Sequence, residues 1–153
     1  MLKEFQLVNV CQHHDRTVRL GAGLTVVTGP QGSGKTNLFQ MALASLTGDN
    51  PIPGNKSANL RYGIGKEPSF VRAEWRFGQD DLTVIRGFAK VKSSLAINGT
   101  IDPAIRREKE ITDRVLQLAG LERELVMGYS YVRQSETSAV FDITETERVR
   151  FFA

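Results

Sequence analysis

The stretch 26–46, VVTGPQGSGKTNLFQMALASL, decides how the chain is read. An apolar, β-branched run gives way to glycines, then a lysine and a threonine, then a segment with helical period. Gly29-Pro30-Gln31-Gly32-Ser33-Gly34-Lys35-Thr36 fits the phosphate-binding pattern of Gly, four residues, then Gly-Lys-Ser/Thr. Each residue type has a physical reason. Glycines let the backbone close into a concave turn and let phosphate oxygens approach the amides. The helix that follows adds the partial positive charge of its N-terminus. Lys35 reaches the β and γ phosphates as a mobile point charge, and the Thr36 hydroxyl is a hard oxygen ligand suited to Mg²⁺. A glycine-rich turn can match such a pattern by chance. The context argues otherwise, because "LTVVT" reads as a central strand before the loop and "TNLFQMALASL" as a helix after it.

Working outward, "KEFQLVNV" alternates, with Phe5 and Leu7, and after them Val8 and Val10, as its apolar members, and reads as a half-buried strand; "RTVRLGAG" gives a second short strand with Val18 and Leu20 inward. The helix from Thr36 carries Leu38, Met41, Ala42 and Ser45 on one side and stops at Gly48. Residues 48–69 are rich in Gly, Pro, Asn and Ser and read as a long surface excursion. "FVRAEWRF" and "LTVIRGF" form a hairpin, and "SSLAINGTI" a second one about Asn98-Gly99, a pair suited to a type I′ turn. "DPAIRREKEITDRVLQLAGL" predicts a helix capped by Asp102, with Pro103 in its first turn and Gly120 as its stop. "MGYSYV" predicts a short buried strand leading to Arg133-Gln134-Ser135. "ITETERVRFFA" opens a last helix through a capping box of Thr144 and Glu147.

The bulk properties set limits. The 153 residues suffice for one domain with a core. A hydrophobic content of 41% with 24% charged residues is that of a globular protein. The single cysteine, Cys11, excludes a disulfide within the chain and points to a reducing compartment, hence a cytoplasmic location. No apolar run is long enough to span a membrane. Net charge is +3, mildly basic, which permits a polyanionic partner without requiring one. His13 and His14, adjacent and without further ligands nearby, read as plain surface residues rather than a metal site.

A phosphate cradle is half of a hydrolytic site. Hydrolysis also needs a metal-anchoring Asp after an apolar strand and a carboxylate to orient water. No four apolar residues precede an Asp-Glu pair anywhere in the chain, and the run before Asp142 in "AVFDITE" is too short.

"GPQGSGKTNLFQMAL" resembles the P-loop of the ABC-type ATPases of DNA maintenance: the structural-maintenance-of-chromosomes proteins, RecF, RecN and the SbcC-type repair ATPases. Asn37 after Thr36 leans the same way. "YSYVRQSETSAVFDITETERVRFF" is similar to the SbcC-type Q-loop region. On the residues alone Gln134 is an ordinary polar residue at a strand end; the resemblance makes it the Q-loop glutamine. Its distance from Lys35 exceeds the spacing found in transporter ATPases. "LRYG" at 60–63, with the hairpin after it, also matches, so the resemblance covers nearly the whole chain.

The resemblance implies an α/β P-loop NTPase fold, the N-terminal lobe of an ABC-type ATPase, with a mixed β-sheet, antiparallel hairpins and flanking helices. It implies one lobe over 1–153 that ends at the root of a coiled coil. It also implies ATP and Mg²⁺ as cofactors. Gly29, Pro30, Gln31, Gly32, Ser33, Gly34, Lys35, Thr36 and Asn37 would contact the nucleotide. Thr36 and Gln134 would hold the metal, and Lys35 and Gln134 would act in catalysis. The implied partners are a C-terminal lobe supplying the Walker B carboxylates and signature motif, a second head in a head-to-head homodimer, an SbcD-type nuclease, and DNA held by its backbone. The lobe alone is then expected to be inactive, and the location nucleoid-associated in a prokaryote. Candidate DNA-contacting cations are Arg61, Lys66, Arg72, Arg76, Lys90, Lys92, Arg106 and Arg107, each of which can equally belong to a solvated mixed-charge face. The chain departs from the family in two places. Cys11 stands where many members carry an Arg near the nucleotide, and Ser135 stands where a Gly often follows the glutamine. Two other readings fit the same residues: a chromosome-maintenance or RecF-like ATPase without a nuclease partner, and a nucleotide-binding interaction module that does not hydrolyse.

Overall fold

The computed structural model describes residues 1–49, 67–105, 107–123 and 126. The chain divides into two compact units, Met1–Gly120 and Leu121–Ala153. Among the described residues of the second unit, Val126 N–H donates to Glu122 O at 3.2 Å. The expected strand at "MGYSYV", Gln134 and the expected final helix lie outside the described residues, as do Arg61, Lys66 and Arg106.

The first unit is a six-stranded sheet with two helices. Its strands are β1 (Leu2–Val10), β2 (His13–Arg19), β3 (Ser69–Phe77), β4 (Asp80–Ala89), β5 (Ser94–Ile97) and β6 (Thr100–Ile101). The helices are α1 (Lys35–Thr47) and α2 (Glu108–Ala119). The spatial order is β2-β1-β3-β4-β5-β6, and each of these pairings is antiparallel. Period-two alternation sets the faces. Phe5 and Leu7 of β1 stand opposite Ala73 and Val71 of β3, and all four are buried. With Leu38, Met41 and Ala42 of α1 they form the core, so the face of α1 read from the sequence is the face it buries. The opposite sheet face is polar. There Arg72 lies between Glu4, at 3.7 Å, and Glu74, to which it donates a hydrogen bond.

The hairpins follow the expected turn chemistry. Asn98 and Gly99 both adopt positive φ (51° and 81°), as a type I′ turn requires. Both helices end where the glycines predict: Gly48 and Gly120 are left-handed C-caps, with Gly48 N–H on Ala44 O at 2.9 Å.

Two expectations fail. The run Leu24–Val27, expected as a central strand, belongs to no strand of the described sheet, and Leu24 and Val26 are 91% and 71% exposed. A central strand needs a neighbour on each side, and none of the six strands of the described sheet pairs with this segment. The second helix begins at Glu108 and not at Asp102. Asp102 Oδ1 instead accepts the N–H of Ala104, a local side-chain turn that competes with helix initiation. The cap role passes to Arg107, whose backbone N–H donates to Glu110 three residues on.

Arg86 ties the far ends of the helices together. It is 3% exposed. Its Nε donates to Ser45 O, its Nη1 to the carbonyl and carboxylate of Glu108, and its Nη2 to Thr112 Oγ1. Burial lowers its pKa from the ordinary arginine value, against the raising effect of Glu108. Among the described residues no helix is long and apolar enough to cross a membrane.

Candidate nucleotide site

The loop 29–34 opens directly into α1. Gly32 and Gly34 have φ of 79° and 86°, left-handed values that a side chain resists, so the glycines of the motif are required by the path of the backbone. Gly34 is the N-cap, and no side chain caps the helix. Its first turn carries no acidic residue. The positive end of α1 is thus left facing outward with its amides uncapped by side chains.

Lys35 folds back over the loop. Its Nζ donates to Gly29 O at 2.8 Å and Pro30 O at 2.7 Å, with Ser33 Oγ at 3.5 Å. These acceptors are neutral, so the ammonium charge is solvated by the loop and not cancelled by a carboxylate. Beside it lies a cleft of about 260 Å³, lined by Gly29, Pro30, Ser33 and Lys35 from the loop and by residues that include His13, Arg16 and Thr28. No carboxylate lines it. A cleft with two cations, an open helix N-terminus and no acid is chemically a site for an anion, and a nucleotide's phosphates fit that description.

The β1–β2 turn buttresses this loop. His13 Nε2 is 3.2 Å from Gly34 O, and Asn37 Nδ2 donates to Gln12 Oε1 at 2.6 Å. A Cβ on Gly34 would meet His13 Nε2 at 2.8 Å and Gln12 Oε1 at 3.2 Å. Asn37 therefore reaches the turn, whereas Gln31, Gly32 and Thr36 line neither the cleft nor this contact; Thr36 is exposed in the first turn of α1. Reading His13 as a plain surface residue is corrected by this geometry, since it is half-buried against the loop. His14 is exposed. Cys11, at φ 53°, is half-buried, and burial pushes its thiol pKa up, so it brings no charge to the turn.

Sequence reading missed Arg16 altogether. The available signal was the alternation of β2: Val18 was placed inward, and Arg16 lies two residues before it. Of the candidate DNA contacts, Arg72 and Arg76 are engaged by Glu74 and Asp81, and Arg107 lies 3.9 Å from Glu110. Lys90 and Lys92 are exposed, with no ion pair among the described residues.

Comparison with known proteins bears on the fold and the family. The chain is 19% identical over its whole length to the DNA double-strand break repair Rad50 ATPase of Methanocaldococcus jannaschii. It is 22% identical over 92% of its length to the protein of the same name from Sulfolobus acidocaldarius. It spans only 15% and 16% of those relatives. Among solved structures, its fold is similar to that of the recombination mediator protein RecF, with TM-score 0.55 and 20% identity over 72% of this chain and 29% of that one. It is also similar to the SMC head domain from Thermotoga maritima, with TM-score 0.50 and 22% identity over 74% of this chain and 41% of that one. The AAA-domain family AAA_23 matches residues 4–149, and the chain belongs to that family.

Proposed function

We propose that this chain is the ATP-binding N-terminal lobe, spanning 1–153, of a DNA repair ATPase. The observation that carries the reading is the left-handed Gly34 opening an uncapped helix beside Lys35, in a cleft without a carboxylate. Gly29 to Asn37 would hold the nucleotide, with the loop amides and Lys35 on its phosphates. Lys35 would exchange its contacts with Gly29 O and Pro30 O for phosphate oxygens. Thr36 and Gln134 supply oxygens of the kind Mg²⁺ takes. The bound metal would neutralise phosphate charge during transfer to water.

Hydrolysis on this reading requires a C-terminal lobe. The exposure of Leu24 and Val26, an apolar pair next to the loop, supports a partner that covers that segment. Two such heads would sandwich nucleotide, and the γ-phosphate would select the engaged state. The similarity to Rad50 ATPases of DNA double-strand break repair supports work on DNA; backbone contacts, an SbcD-type nuclease as partner and a place in the cytoplasm or on the nucleoid complete the proposal.

Calorimetric titration of the protein with Mg·ATP tests the site. Lys35→Ala is expected to weaken binding at least about tenfold, the loss of one charge-assisted contact, with the thermal transition preserved. Unchanged affinity would overturn the reading. Phosphate release on adding a C-terminal lobe then separates an ATPase from a non-hydrolysing module.

A further inference from the structure

Arg16 sits where a strand residue should be apolar. In the β1–β2 register it stands directly opposite Leu7, as Val18 stands opposite Phe5. Leu7 and Phe5 are buried, and directly opposed residues of an antiparallel pair share a face. Arg16 therefore lies on the face of the sheet that α1 covers, at its edge strand, and its side chain lines the cleft beside Lys35, Pro30 and Ser33.

The other arginines of this sheet each have a carboxylate: Arg19 has Glu4, Arg72 has Glu74, Arg76 has Asp81 and Arg86 has Glu108. Arg16 has no hydrogen bond or ion pair among the described residues. An arginine on the apolar face, opening into a cleft that already holds a lysine and no acid, raises the local positive potential. Being exposed, Arg16 stays hydrated while the cleft is empty, and its charge there favours an entering anion. Arg19 of the same strand is paired with Glu4 and does not line the cleft, so Arg16 is the arginine that this hairpin brings to it.

We propose that Arg16 is a phosphate-binding residue of the cleft, its guanidinium gripping phosphate oxygens of the nucleotide that Lys35 also holds. This rests on the reading of the cleft as a nucleotide site. A planar guanidinium offers two parallel N–H donors to a phosphate, which an ammonium cannot reproduce.

The test titrates the protein with Mg·ATP and Mg·GTP by calorimetry, for wild type, Arg16→Ala, Arg16→Gln, Arg16→Lys and Lys35→Ala. Arg16→Ala and Arg16→Gln are expected to lose about tenfold in affinity for both nucleotides. Arg16→Lys should recover part of that loss, with thermal transitions unchanged because the residue is exposed. An equal loss for both nucleotides supports a phosphate contact, and a loss confined to one overturns it in favour of a base contact. Wild-type ATP affinity in Arg16→Ala and Arg16→Gln, with binding lost in Lys35→Ala, overturns the assignment of Arg16 and leaves the nucleotide site standing. If Lys35→Ala also binds as wild type, the nucleotide site falls with it. Reduced binding of duplex DNA by Arg16→Ala, at unchanged ATP affinity, would make Arg16 a nucleic-acid contact and overturn the proposal.

Discussion

His13 Nε2 donates to the carbonyl oxygen of Gly34 across 3.2 Å, joining the turn after the first strand to the last glycine of the phosphate loop. A carbonyl can only accept, so this hydrogen bond requires the ring form that carries a proton on Nε2. The link is tight in both directions, because Gly34 is left-handed at φ 86° and has no room for a methyl group beside the imidazole.

Gly34→Ala combines two penalties. The left-handed backbone costs roughly 1–2 kcal/mol for a residue with a Cβ, and the methyl group displaces His13 or Gln12. We expect stability to fall by about that amount in urea denaturation and ATP affinity to fall at least about tenfold. His13→Ala should keep the backbone and lose only a few-fold in affinity. A Gly34→Ala protein with wild-type stability and affinity would show that the loop does not need this conformation.

Arg86→Ala should be among the most damaging changes in the first unit. It takes the Arg86 donor from Ser45 O, leaves Thr112 Oγ1 with its bonds to Thr47 O and Glu108 O and the half-exposed Glu108 carboxylate with Ser93, and opens a cavity between the C-terminal end of α1 and the start of α2. With Glu108 half exposed no buried charge is left unpaired, so the cost is that of a lost buried hydrogen-bond donor together with a cavity, about 2 kcal/mol. Arg86→Lys keeps the charge but not the fork of donors, and should recover less than half of that. Denaturant midpoints measure both, and a loss below about 1 kcal/mol for Arg86→Ala would mean the ends of the helices are held by packing alone.

Asp81 gives a pH signature. Hydrogen bonds from Arg76 and Lys3 hold its carboxyl well below the usual carboxylate range. Because the folded-state value lies below the unfolded one, the stabilisation is present above about pH 4 and disappears as the pH falls through the folded value. Asp81→Asn should therefore melt slightly lower than wild type near neutral pH, with the gap closing as the pH drops toward about 2. Parallel melting curves at every pH would assign the ion pairs no role.

These sites were unequally legible in the sequence. The β3–β4 hairpin, the Asn98-Gly99 turn, the buried face of α1 and both glycine stops are local patterns, and local physics decides them. The start of α2 was misplaced because Asp102 serves a turn as readily as a helix, and only the competition with Ala104 N–H decides which. The phosphate loop could be read from its glycines and lysine. His13 could not, since its value comes from Gly34, 21 positions away. Arg16 left a trace in the alternation of β2, but its meaning depends on which face α1 covers. Leu24–Val27 was misread for a related reason: an apolar β-branched run records that a segment is built to be covered, and not what covers it.

That last point yields the sharpest test of the two-lobe reading. Leu24 and Val26 are exposed while Val27, between Val26 and the loop, packs against the core. Changing Leu24 and Val26 to Asp should leave the stability of this chain within about 0.5 kcal/mol of wild type, as for ordinary surface positions. If a C-terminal lobe adds its sheet here, the same change removes two apolar side chains worth about 1.5–3 kcal/mol each when buried and places charges at the junction. Association with that lobe, followed by sedimentation or calorimetry, should then be lost. Amides 24–28 should gain protection from hydrogen exchange when the lobe is added to wild type, and no protection in the double variant. Tight association of the double variant would show that the lobe docks elsewhere. Unfolding of the double variant by itself would show that Leu24 and Val26 are already covered within the chain.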